Sequence, residues 1–171
     1  MDRHLNPSVQ PASADQYTLE REQFIARPLE EVFAFFADAR NLQAITPEFL
    51  HFRITSDAAL EMRPGTIIDY RLQLFGIPFN WQSRIEAFEP LVGFTDVQLS
   101  GPYRRWHHRH EFRAVPGGTR MTDRVDYAIG FGPLGRMAHW LFVRRTLASI
   151  FEFRRQRIAE HFGEPAGSDR R

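Results

Sequence analysis

The chain has 171 residues, no cysteine, and 22 Lys and Arg against 21 Asp and Glu, for a formal charge of +1. That length supports one domain with a real core. The charge balance gives no electrostatic case for nucleic acid, and the lack of cysteine excludes disulfides and thiolate metal sites. No apolar run approaches the roughly 20 residues of a membrane span, and the N-terminus lacks the apolar stretch of a secretory signal. The expectation is a soluble, cytoplasmic protein without stable membrane insertion. Sixteen Phe, with four Tyr and three Trp, supply large apolar area for a core or a pocket.

Residues 1–15 are polar, carry Pro7 and Pro11, and are expected to be disordered. Residues 164–171 read as a similar tail, which leaves one domain over 16–163. Residues 17–26 read as a strand. Pro28, Glu30 and Glu31 open a helix whose apolar side is Val32, Phe33, Phe35 and Phe36. Asp38 can cap a second short helix over 39–45, which Pro47 stops. Residues 49–55 read as a strand.

Hairpins follow. Residues 66–75 and 78–88 flank Gly76-Ile77, which fits a two-residue turn. Pairing outward from that turn sets Leu72 opposite Trp81, Tyr70 opposite Ser83 and Ile68 opposite Ile85. These residues share one face, and Asp69, Arg71, Gln82, Arg84 and Glu86 share the other. Strands over 92–99, 103–114 and 119–129 come next, with Gly117-Gly118 turning the last pair. That turn sets Phe112 opposite Asp123, His110 opposite Val125 and His108 opposite Tyr127.

The segment 106–112, Trp-His-His-Arg-His-Glu-Phe, is the most informative stretch. Side chains alternate faces along a strand, so Trp106, His108, His110 and Phe112 point one way, while Arg105, His107, Arg109, Glu111 and Arg113 point the other. The first set suits a cavity wall and the second a solvated face. A helix runs from Leu134 to about Phe162, with Leu147, Ile150, Phe151, Arg154, Ile158 and Phe162 at helical spacing. Its first half, residues 137–143, is apolar almost all round and needs a cover.

The element order and several local phrases resemble the START-like, or SRPBCC, superfamily. The phrases are Pro28-Leu29-Glu30-Glu31-Val32-Phe33, Gly101-Pro102-Tyr103 leading to Trp106-His107-His108, Gly117-Gly118-Thr119-Arg120-Met121-Thr122-Asp123, and Gly132-Pro133-Leu134-Gly135. They are similar to its polyketide cyclase/dehydrase-like, ligand-binding bacterial branch. The resemblance covers about residues 17–162. It implies an α+β helix-grip fold, in which a curved antiparallel sheet of about six to seven strands, two short helices and a long C-terminal helix enclose a cavity.

The resemblance implies binding, transport or sensing of a hydrophobic small molecule, such as a lipid, quinone or polyketide-like compound. The expected ligand contacts are Tyr70, Leu72, Trp81, Trp106, His108, His110, Phe112, Asp123, Tyr127 and Trp140. The alternative is a cyclase or dehydratase in which His108 or His110 moves protons and Asp123 orients the base. A metal site of His108, His110 and Asp123 is compatible with the spacing, but the superfamily does not favour it, so neither metal nor cofactor is expected. A third reading makes the apolar helix start, around Met137, Trp140, Leu141 and Phe142, an interaction face, with a homodimer as one form of it.

Overall fold

Alternating apolar and charged residues build most of the molecule. The computed structural model describes residues 16–56, 61–74 and 76–163; the two expected tails lie outside them. Seven strands form one antiparallel sheet: β1 (Gln16–Ile25), β2 (Arg53–Ile54), β3 (Ile67–Leu74), β4 (Ile77–Glu89), β5 (Gly93–Ser100), β6 (Arg105–Val115) and β7 (Gly118–Ala128). Their order is β1-β7-β6-β5-β4-β3-β2. Helix α1 (Leu29–Phe36) follows β1. Helices α2 (Gly132–Ala138) and α3 (Arg144–His161) close the chain, joined by a π-helical turn at His139–Val143. This is the expected helix-grip α+β architecture.

Two aromatic-rich clusters hold α1 and α3 against the sheet, and a third packs the short 3-10 helix Ala39–Leu42 on it. Phe33, Phe36, Phe94, Phe112, Met121, Ile158 and Phe162 fill the end beneath α1. Leu19, Val125, Tyr127, Leu147 and Phe151 fill the other end. Ile68, Tyr70 and Ile85 pack with Ala39 on the same inner face, at the β3–β4 end of the sheet. Two register shifts in the β4–β5 pair, at Gln82/Ser83 and Ile85/Ala87, bend the sheet where it wraps the interior.

Three local expectations are corrected. Residues 49–55 are not one strand: Glu48–Leu50 form a 3-10 turn, His51 is left-handed at φ 43°, and only Arg53–Ile54 pair with β3. In the first hairpin Leu74 pairs with Ile77, and Gly76 takes φ 77°. Tyr70 therefore faces Trp81 rather than Ser83. In the last hairpin Val115 pairs with Gly118, so the turn is Pro116-Gly117, not Gly117-Gly118. Pro fixes φ near −65° at the first turn position, and Gly117 supplies φ 84° at the second. Both slips move the pairing by two residues and keep side-chain parity, so the inward and outward sets survive.

Gly118 has a different reason to be glycine. A Cβ there would collide with the Ile25 carbonyl oxygen, where the end of β1 crosses the start of β7. Gly118→Ala should therefore lose roughly 1–3 kcal/mol of stability in a denaturant titration. An unchanged midpoint contradicts that close approach.

The apolar start of the last helix points mostly outward. Leu134 and Trp140 are 69% and 72% exposed, and Met137, Leu141 and Phe142 are exposed with them. His139 alone in the π-helical turn is buried. Its ring stacks on Tyr17 at 3.4 Å between centroids, and its Nε2 lies 2.9 Å from the Tyr127 hydroxyl. No helix among the described residues is long and apolar enough to cross a membrane.

Candidate functional site

Between the sheet and α3 lies a cavity of about 170 Å³. Its walls are largely aromatic and aliphatic. Trp81 packs edge-on to Trp106 at 5.2 Å between centroids, and the Trp81 indole N–H donates to Ser83 Oγ at 3.1 Å. One corner is different. There two adjacent strands, β5 and β6, place Asp96, His108 and His110 together, and α3 adds Arg154.

Strand register explains the corner. Asp96 on β5 lies opposite His108 on β6, and His110 on β6 lies opposite Asp123 on β7. All four residues take the inward parity. The two imidazoles thus sit between two carboxylates, with ring centroids 3.9 Å apart. His108 Nδ1 is 3.4 Å and His110 Nε2 is 3.8 Å from Asp96 Oδ1. On the other side, His108 Nε2 is 3.5 Å and His110 Nδ1 is 2.6 Å from Asp123 Oδ1. These last approaches are out of line with the N–H directions. His108 Nε2, His110 Nδ1 and Asp123 Oδ1 complete no aligned hydrogen bond.

Charge is traded inside this cluster. Burial alone would lower His108, but Asp123 and Asp96 outweigh it and raise the imidazole above its ordinary value. Burial alone would raise Asp96 and Asp123, but the facing histidines hold both carboxyls well below the usual carboxylate range. Tyr70 nearby is pushed up by burial and by Asp96, so its phenol stays protonated. Arg154 is lowered by burial, against the through-space pull of Asp123 and Asp96. Its guanidinium lies 4.9 Å over the Phe151 ring, and its Nε has no hydrogen-bond partner among the described residues.

Six of the expected contacts line the cavity: Tyr70, Leu72, Trp81, Trp106, His108 and His110. Four do not. Phe112 is packed into the dry cluster with Phe33 and Phe36. Asp123 stands behind the histidines, in a small recess shared with Arg154. Tyr127 is bound to His139, and Trp140 faces outward because the π-helical turn buries His139 in its place. Asp96 and Arg154 join the site without having been singled out for it. Arg154 had a visible signal, an arginine inside the apolar stripe of α3. Asp96 had a weaker one, an acid two residues after Phe94 on the same strand face. The outer face carries surface pairs as expected, with Arg109 2.6 Å from Glu111 and Arg124 3.3 Å from Asp126.

Comparison with known proteins agrees with this architecture. Residues 25–153 match the family described as polyketide cyclase / dehydrase and lipid transport. The chain belongs to this family. Comparison with curated proteins finds no match. Among solved structures it is similar to the ZhuI aromatase/cyclase from Streptomyces sp. R1128, at 15% identity and TM-score 0.61, over 85% of this chain and 96% of that one. It is also similar to Ara h 8.0201, at 18% identity and TM-score 0.60, over 85% and 99%. A Rhodobacter sphaeroides protein matches at 21% identity and TM-score 0.63, over 90% and 95%. Likenesses this distant establish the shared fold. The family supports a ligand-binding or cyclase-like role.

The buried charges predict a pH profile. A raised imidazole stabilises fully below its unfolded value near 6.5, and that contribution fades as pH rises through the folded value. The lowered carboxyls stabilise fully above about 3.9, and theirs fades as pH falls. The stability difference between the wild type and Asp123→Asn should therefore peak between about pH 4 and about pH 6.5 and shrink on both sides. Urea titrations across that range measure it. A difference independent of pH contradicts the charged cluster.

Proposed function

We propose that this chain binds an apolar, ring-bearing small molecule carrying an oxygen anion, such as a carboxylate, at one end. The observation that carries this reading is Arg154. Its guanidinium is buried at the polar corner of an apolar cavity with its Nε unpartnered. A buried donor left without an acceptor costs about 1–3 kcal/mol, so a ligand oxygen that accepts from Nε is favoured at this corner. The planar fork of arginine matches the two oxygens of a carboxylate. His108 and His110 stand beside it to hydrogen-bond the same end. Tyr70, Leu72, Trp81 and Trp106 would pack against the ring or chain, which supplies affinity while the polar corner supplies orientation.

Trp81 and Trp106 make the site readable by fluorescence. Aromatic acids, fatty acids, quinones, sterols and linear polyketide mimics can be titrated against the intrinsic emission. Acids with an apolar body should perturb it saturably. Their affinity should fall roughly tenfold or more in Arg154→Lys, which keeps the charge but loses the fork. Neutral compounds of the same shape should be little affected by that change. If no compound perturbs the tryptophans, or Arg154→Lys binds acids as the wild type does, the reading fails.

A second reading has its own observation, the close His110–Asp123 approach beside the cavity, at 2.6 Å. In it, His108 or His110 takes a proton from carbon next to a ketone, and the enolate carbon attacks a second ketone of the chain to close the ring. The imidazolium returns the proton to make that oxygen a hydroxyl. The hydroxyl then leaves as water with a proton from the neighbouring carbon, which forms the double bond of the aromatic ring. Turnover of a linear poly-β-ketone mimic would be measured in the wild type and in the His108→Ala/His110→Ala variant. Turnover lost with the histidines supports the enzyme. Turnover equal in both, or absent in the wild type, eliminates it.

A further inference from the structure

The two imidazoles have one nitrogen each on the Asp96 side and one each on the Asp123 side. On the first side, Asp96 Oδ1 lies 3.4 Å from His108 Nδ1 and 3.8 Å from His110 Nε2, and one donor atom from each of the three residues lies within 4.8 Å of the other two. All three residues line the cavity. On the second side, Asp123 Oδ1 lies 3.5 Å from His108 Nε2 and 2.6 Å from His110 Nδ1. Asp123 does not line the cavity. Two imidazoles and one carboxylate converge in front, and a second carboxylate backs both rings.

We propose that Asp96, His108 and His110 bind one divalent transition-metal ion of the zinc type, with Asp123 as the positioning residue behind both histidines. The donor set favours such an ion over magnesium or calcium, which prefer oxygen alone. Bonds of about 2.1 Å at a tetrahedral centre hold ligand atoms roughly 3.4 Å apart. The spacing seen here reaches that with side-chain shifts of about an ångström. Metal-bound histidines almost always give their other ring N–H to a carboxylate or carbonyl, and Asp123 stands where that partner belongs.

A second observation concerns the far nitrogens of the same two rings. His108 and His110 are more than nine-tenths buried, yet His108 Nε2, His110 Nδ1 and Asp123 Oδ1 have no aligned hydrogen bond. Buried polar atoms in native proteins rarely stay unpartnered, and the unpartnered nitrogens here are the two that face Asp123, away from Asp96. An ion bound to His108 Nδ1 and His110 Nε2 fixes both tautomers. Each ring then carries its proton on the nitrogen facing Asp123. The cavity side of the ion stays open to water or to a ligand oxygen. Formal charges of two carboxylates, one guanidinium and one dication leave this corner at +1, which an anionic ligand would neutralise.

The test uses the full chain stripped with a chelator, with no organic ligand present, so it is separate from the fluorescence titrations. Zn(II) is titrated by calorimetry, with Mg(II) as the comparison ion. The expected result is one equivalent of zinc bound and no magnesium. His108→Ala and His110→Ala should each weaken zinc binding at least 100-fold, and Asp123→Asn about 10- to 100-fold, with the helical and strand circular dichroism retained. His107→Ala, on the opposite face of the same strand, should bind as the wild type does. X-ray absorption at the zinc edge of the wild type checks the donors without any variant, and should show two imidazoles. No saturable one-equivalent binding by the wild type overturns the proposal. So does a zinc shell without imidazole, or a His108→Ala/His110→Ala variant that binds like the wild type.

Discussion

Everything at this site depends on one constraint: charged side chains on the inward face of a sheet must compensate one another, because water reaches them poorly. Asp96, His108, His110 and Asp123 share that face on three neighbouring strands. Alone, any of the four would be costly to bury in its charged form. Together the facing histidines hold both carboxyls low, and the two carboxylates raise His108. Arg154 reaches the same corner from α3 and completes it from the helix side.

The apolar part of the cavity follows from the same sheet. Bulges in β4 bend the wall, and Tyr70, Trp81 and Trp106 cover it with aromatic surface. Phenylalanine-rich packing under α1 closes one end, and the cluster around Leu147 and Phe151 closes the other. What remains is a pocket with a long apolar body and one charged corner. That asymmetry gives a ligand both affinity and a direction.

Strand parity made much of this legible in the sequence. Alternation along 106–112 put Trp106, His108 and His110 on the inner face, and the structure keeps them there. Parity is insensitive to a slip of two residues, so it survived the misplaced turns. Pair identity did not. Gly117-Gly118 read as a turn because two adjacent glycines look alike in sequence, although Gly118 is there for the close crossing of Ile25. The corrected register moves Asp123 from opposite Phe112 to opposite His110. The His–carboxylate arrangement depends on that shift. Asp96 was hidden because the last β5–β6 pair is Val97 with His107, so the pairing has no two-residue turn to count from. Trp140 was misplaced because a π-helical turn breaks the 3.6-residue period that assigns helix faces.

His108 and His110 face the cavity between two carboxylates, with Arg154 at the same corner. Nuclear magnetic resonance of the ring nitrogens, in protein labelled at histidine, observes this directly. On adding an aromatic carboxylic acid to the metal-free wild type, the ring signals of His108 and His110 should shift together and saturate with the tryptophan fluorescence. The signals of His107 and His139 should stay in place. Saturable binding that leaves His108 and His110 unmoved would contradict the account.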